Sequence, residues 1–275
     1  MRAIRIIAAK EIRDALRNRW IAATIALLAT ISLLLYFLGA SPGGSIRASS
    51  LDVTIVSLAS LSVYLIPLIA LMLSFDALVG EFERGTMLLL LTYPVARWQV
   101  IMGKFIGHMG ILLTAIVVGY GGTALVIVFS TNSGTDNWQA YLMMMASTWI
   151  LGGIFIALGY LISVLVQERA TAVGAAIGAW LVGVVLYDLG LMGLLLADEE
   201  QSISQNLFAT LIVANPTDAY RIFNLTGIDS IKQVAGMSDI GASTAVNPAL
   251  LLGVMAAWLL LPLLLTILRF RRREL

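Results

Sequence analysis

Few side chains in this sequence are equipped for chemistry, and their types narrow the choice quickly. The 275 residues contain no cysteine and one histidine, His108. That removes disulfides, thiolate metal sites, cysteine nucleophiles and any histidine-rich metal centre built by this chain alone. Met143-Met144-Met145 offers soft thioethers of the kind copper(I) prefers. Three successive residues of a helix point in three directions, however, and cannot converge on one ion, so no metal ligation is expected. Asp188 stands inside an apolar run, in Val-Leu-Tyr-Asp-Leu-Gly. A carboxylate at membrane depth is costly and often functional. Two readings stay open for it: a substrate or gating role, or a structural group reaching interfacial water. His108 follows Lys104 by one helical turn at the start of another apolar run, where an interfacial hydrogen-bonding role is the plainer reading. The sequence holds no Gly-rich Lys-Ser/Thr phosphate loop, no HExxH and no GxSxG. If ATP is used, another chain must bind it. Asn224-Leu225-Thr226 matches a glycosylation acceptor, a weak three-residue signal.

The elements that carry these residues are membrane helices. Hydrophobic residues make up 60% of the chain and charged residues 12%, about half the usual charged share of a soluble domain. A water-soluble core of this size could not hide so much apolar surface, whereas a bilayer can. Six runs are long enough to span: Trp20–Gly39, Val53–Phe75, Phe105–Ser130, Tyr141–Val166, Thr171–Ala197 and Pro248–Leu268. The expected fold is an all-α membrane protein forming a single domain over residues 1–275. Of its 17 basic residues, only Arg47, Arg221 and Lys232 fall between alternate spans; the others share one side. The positive-inside rule makes that side cytoplasmic, with both termini on it. The net charge of +1 gives no case for nucleic acid. The start reads as a spanning protein's, not a cleaved signal peptide, because its charges run far in and its first apolar stretch is long.

Three segments lie outside the spans. Residues 1–19 predict an interfacial helix with Ile4, Ala8, Ile12, Ala15 and Leu16 on one face and Arg2, Lys10, Arg13 and Arg17 opposite, suited to anionic headgroups. The cytoplasmic loop 76–104 sets acids and Arg84 before Gly85-Thr86, then an apolar run Met87–Leu91 closed by Pro94. That run is too short to span, so its apolar side must rest on the membrane, its own bundle or a partner. The extracytoplasmic loop 198–247 predicts two partly apolar helices, Gln205–Ala214 and Asp218–Leu225. Asn215-Pro216 turns the chain between them, and Thr217 or Asp218 caps the second. Gly103-xxx-Gly107 and Gly174-xxx-Gly178 match a small-residue packing motif, which serves a dimer seam or packing inside one subunit equally well.

Glu81-Phe82-Glu83-Arg84-Gly85-Thr86, Leu88-Leu89-Leu90, Pro94-Val95-Ala96-Arg97 and Gly103-Lys104 resemble the second-to-third helix loop of ABC exporter permeases of the second, six-helix class. Lys10-Glu11 before Leu16-Arg17-Asn18-Arg19-Trp20 resembles their start, and the topology fits along the whole chain. The string from Asn215-Pro216-Thr217-Asp218-Ala219-Tyr220-Arg221 to Gly227 is similar to the branch that serves maturation of nitrous-oxide reductase. The resemblance implies a homodimer in the bacterial inner membrane, resting on a cytoplasmic ABC ATPase dimer that binds ATP and Mg. It also implies a periplasmic β-helical partner in copper-site maturation. It makes Glu81–Leu91 a coupling helix, with Glu81, Glu83, Arg84, Gly85, Thr86, Leu88, Pro94 and Arg97 as ATPase-coupling residues. Asn215, Asp218, Tyr220 and Arg221 become contacts for the periplasmic partner, unless loop 198–247 instead caps the pathway. On this reading the chain has no enzyme activity and binds no cofactor itself. The alternatives are an exporter of another substrate (lipid, peptide or drug) and a membrane anchor that transports nothing. An intramembrane enzyme is a poor alternative, since Asp188 and His108 sit toward opposite faces.

Overall fold

The computed structural model describes residues 2–39, 50–130, 138–197, 204–226 and 247–272. Arg47, Arg273 and, in the long loop, residues 198–203 and 227–246, with Gly227 and Lys232 among them, lie outside the described residues. In chain order the elements are α1 (Arg2–Leu16), α2 (Arg19–Gly39), α3 (Ser50–Ser74), α4 (Val79–Glu83), α5 (Thr86–Leu91), α6 (Arg97–Ser130) and α7 (Trp138–Leu165). Next comes α8 (Arg169–Trp180), which passes through a π-helical turn (Leu181–Leu186) into α9 (Tyr187–Ala197). Then α10 (Gln205–Ala214), α11 (Pro216–Thr226) and α12 (Pro248–Arg272) complete the described chain. All described elements are helical, and six spans are long and apolar enough to cross a membrane.

The third span is longer than its apolar run, because the helix begins at Arg97 and not at Phe105. Its 34 residues reach about 51 Å at ~1.5 Å per residue, against a hydrocarbon core of ~30 Å. The turns around Arg97–Lys104 therefore project from the bilayer and give the neighbouring loop something rigid to lean on. α7 is the centre of the bundle: 67% of its apolar window is buried, against 6% for the fifth span, α8–α9. α3, α6 and α12 surround α7, while α8–α9 lies at the edge beside α3. Hydroxyls join the helices where no water competes: Ser32 Oγ and Thr123 Oγ1 are 2.6 Å apart, and Ser62 Oγ lies 2.7 Å from the Tyr120 hydroxyl.

α1 packs along α6, and the contact shifts its buried face. Ile7, Ala8 and Ala15 are buried and Glu11 turns inward, whereas Leu16, expected on the apolar face, is exposed along with Ile6. The glycines of α6 explain the shift. A Cβ at Gly103 would lie 2.8 Å from Ile7 Cβ and 3.1 Å from the Ile4 carbonyl oxygen. One at Gly107 would lie 2.7 Å from Glu11 Cβ and 3.2 Å from the Ala8 carbonyl oxygen. The Gly103-xxx-Gly107 motif thus packs inside the chain, whereas a Cβ at Gly174 or Gly178 would meet open space. Gly103→Val is expected to push α1 off α6 at a cost of about 1–3 kcal/mol. Gly174→Ala should leave stability unchanged or raise it by up to about 1 kcal/mol through helix propensity. Thermal unfolding in detergent compares the two, and equal stabilities would discard this packing argument.

Candidate functional site

The loop between the second and third spans is two short helices, not the single Glu81–Leu91 helix expected. Gly85 breaks it with φ of 69°, a left-handed conformation that glycine adopts freely. The first half is bolted down. Ser163 Oγ on α7 accepts hydrogen bonds from the Leu78 and Val79 amides, each 3.0 Å, and so satisfies donors at the start of α4. Glu81 reaches Lys104 on α6 at 2.6 Å, and Lys104 also holds Glu11 of α1 at 2.8 Å. Glu83 Oε1 accepts from the Arg169 amide at 2.6 Å. Asp76 Oδ2 pairs with Arg169 at 2.8 Å and more loosely with Arg84 at 3.8 Å. Arg97 donates from Nη1 to the carbonyl oxygens of Phe270 and Arg271, 3.1 and 3.0 Å away, and so ties the loop's end to α12. The Phe82 ring meets the Phe270 ring edge-on from the other half of the loop.

The second half faces out. Met87 is buried and Leu90 and Leu91 pack half-buried against the core, while Leu88 is 50% exposed, Leu89 66% and Tyr93 67%. Glu83, Arg84, Thr86 and Pro94 are exposed around them. The eight loop residues singled out by sequence therefore divide. Glu83, Arg84, Thr86, Leu88 and Pro94 are exposed, Gly85 marks the break between the two short helices, and Glu81 and Arg97 turn inward to fasten them. Sequence reasoning missed Leu89 and Tyr93 on this surface, and Glu11, Lys104 and Ser163 beneath it. The position of Glu11 next to Lys10 in an otherwise apolar turn was the available signal. Burial would raise the Glu11 carboxyl, but Lys104, with His108 and Lys10, outweighs it and holds the group below its ordinary value.

At the opposite end of the bundle, α10 and α11 fold back over α3, α7 and α12. Asn215, not Thr217 or Asp218, caps α11: its Oδ1 accepts from the Thr217 amide and hydroxyl, with Pro216 in the first turn. Its Nδ2 donates to the Gly183 carbonyl oxygen in the π-helical turn, 2.9 Å away. Tyr220 is buried, its hydroxyl 2.8 Å from Thr148 Oγ1 on α7. Asn224 is buried against Ser147, so the glycosylation match lies on an enclosed side chain. Arg221 donates to Asp218 Oδ1 and Asp188 Oδ2, both 2.9 Å away, and joins α11 to the fifth span. Asp188 is thus paired across elements, and among the four outer residues only Arg221 keeps partial exposure.

Burial pushes the Asp218 carboxyl up and the Asp188 carboxylate adds to the push. Arg221 draws it back only in part, leaving it raised to about 6. The folded chain holds this proton more tightly than an unfolded chain, where aspartate titrates near 3.8. Stability is therefore expected to fall as pH rises from that value toward 6 and to level off above it. Thermal unfolding between pH 4 and 7 checks the slope, and Asp218→Asn should flatten it; an unchanged slope in that variant would reject the assignment.

No group of three or more His, Cys, Asp or Glu residues able to hold a metal ion occurs among the described residues. Met144 is buried while Met143 is exposed, so the methionine run diverges. The family model described as "ABC-2 family transporter protein" matches residues 5–275. The chain is 42% identical over 270 residues to the "Probable ABC transporter permease protein NosY" of Stutzerimonas stutzeri, covering 97% of each. It is 39% identical over 269 residues to the protein of the same name in Pseudomonas aeruginosa, again 97% of each.

Proposed function

The chain belongs to the ABC-2 family of transporter permeases, and from that premise we propose that the surface Glu83–Pro94 seats its ATPase. The chain is the permease subunit of an ABC transporter, a multi-pass protein of the inner membrane, and is not itself an enzyme; ATP is hydrolysed by a separate subunit. The observation that carries the seat is the exposure of Leu88, Leu89 and Tyr93 on a loop fastened by backbone amides to α7 and by side chains to α6 and α12. An apolar face outside the spans calls for a partner, and the fastening lets a push on it move the spans. On this reading the loop and both termini lie in the cytoplasm, supported by the positive-inside rule, over an ATPase dimer that carries ATP and Mg. Two copies of the permease complete the assembly.

The finer role is maturation of the copper sites of nitrous-oxide reductase, together with a periplasmic β-helical protein. Its support is the resemblance of the Asn215–Arg221 string and the name carried by both relatives. Because Asn215, Asp218 and Tyr220 are enclosed, they build the cap. The periplasmic partner is received by Arg221 and the exposed side of α10, around Asn206, Leu207 and Thr210. Affinity purification of the tagged chain from its native membrane, followed by mass spectrometry, tests the proposal. An ATPase and a periplasmic β-helix protein in fixed ratio are expected. An ATPase alone would reject the maturation role, and neither would reject the seat.

A further inference from the structure

We infer that Lys104 is a positioning residue that pins α4 and α1 to one turn of α6, so that displacement of the loop surface is delivered to the third span. The inference rests on reading Glu83–Pro94 as the ATPase seat and adds the path by which a push leaves it.

Among the described ion pairs, those on the loop's outer side have cations that are half exposed. The Arg84 and Arg169 side chains beside Asp76 keep 53% and 52% of their surface. Such pairs are weak and yield under load. Lys104 differs, with a side chain only 4% exposed and its two glutamates each 13% exposed. Its ammonium lies 2.6 Å from Glu81 of α4 and 2.8 Å from Glu11 of α1. Charges buried this deeply attract strongly and cannot trade their partners for water, so the three elements resist sliding. The glycines beneath strengthen the joint, because Gly103 and Gly107 bring α1 against the α6 backbone on either side of Lys104.

The network also continues inward. The second oxygen of Glu11 faces His108 Nε2 at 3.9 Å, and His108 Nδ1 lies 2.8 Å from the Tyr160 hydroxyl on α7. The His108–Tyr160 pair therefore joins α6 to the central helix one turn beyond Lys104, with Glu11 close to it but outside hydrogen-bond reach. Only Arg17 and Asn18 separate α1 from the first span, so the pinned α1 carries the same displacement into α2. The path runs from an exposed apolar surface through one buried cation to three spans.

The test uses the permease with its ATPase. Lys104→Met alone would strand two buried carboxylates, and loss of folding would say nothing about transmission. The triple variant Glu11→Gln, Glu81→Gln, Lys104→Met removes the charges together and is the informative protein. The chain has no cysteine, so Ser130→Cys at the outer end of α6 and Ala214→Cys at the end of α10, both exposed, accept spin labels without background. The distance between the labels is measured before and after ATP with vanadate, alongside ATPase recovery and melting temperature. In the labelled parent an ATP-driven shift is expected. In the triple variant the ATPase should still co-purify and the melting temperature should hold, while the shift is lost. A full shift in the triple variant overturns the pin and leaves the seat standing. Loss of the ATPase from the triple variant also overturns it, since Lys104 would then shape the seat. If the labelled parent binds no ATPase, or binds it and shows no shift, the coupling reading itself falls.

Discussion

Exchanging Leu88 and Leu89 together for aspartate is expected to release the ATPase from the membrane subunit while the bundle stays folded. Both side chains are at least half exposed in the single chain, so neither supports the core. Covering them in a complex is worth about 2–4 kcal/mol for the pair, scaled from ~1.5–3 kcal/mol for a fully buried leucine. At 1.4 kcal/mol for each factor of ten, affinity should fall on the order of 10²-fold, and two carboxylates in an apolar seat enlarge the loss. Size-exclusion chromatography of the double variant with its ATPase reads the loss directly. Melting temperature controls for folding, and Met87 remains in place as the anchor of α5. Undiminished binding would mean that the ATPase sits elsewhere.

The second large effect is expected at Ser163, beneath the loop. Ser163→Ala removes the acceptor for both the Leu78 and Val79 amides in a buried setting. A buried donor left unpaired costs about 1–3 kcal/mol, and here there are two. The spared volume is that of one hydroxyl, so the loss comes from the stranded amides and not from a cavity. Hydrogen exchange at Leu78 and Val79 should accelerate first, because α4 is only five residues long and has little else to hold its first turn. ATPase binding should change less than in the leucine variant, since α5 keeps its surface. Protected amides at both positions in Ser163→Ala would show that another acceptor replaces the hydroxyl.

The six spans and their order were legible because the bilayer demands long apolar runs, which sequence displays directly. Register and partnership were not. The apolar pattern of α1 pointed to a face including Leu16, yet the contact turned on two glycines of α6, nearly a hundred residues away in the chain. The same holds for Glu81 and Arg97. Their charge and place in a cytoplasmic loop suggested a partner, but a charged residue beside a membrane looks alike in sequence whether it faces water or reaches back into its own chain. Asp188 is the converse case: its cost at membrane depth was readable, and its pairing with Arg221 needed the fold of α11. Exposed residues such as Leu88 and Arg84 were found because a short apolar run bounded by charges leaves few places to go.

The clasp of Arg97 on the Phe270 and Arg271 carbonyls sets an order of events during synthesis. Arg97 leaves the ribosome early, whereas its acceptors arrive only with α12, after every other described helix. Until then the loop lacks this clasp to α12, and α5 rests on α4 and on the contacts of Met87, Leu90 and Leu91. A nascent chain arrested before α12 would carry five inserted helices and an unfinished Glu83–Pro94 surface. If Glu83–Pro94 seats the ATPase, the docking surface is finished only when the last described helix is in the membrane, and incomplete chains compete poorly for ATPase subunits.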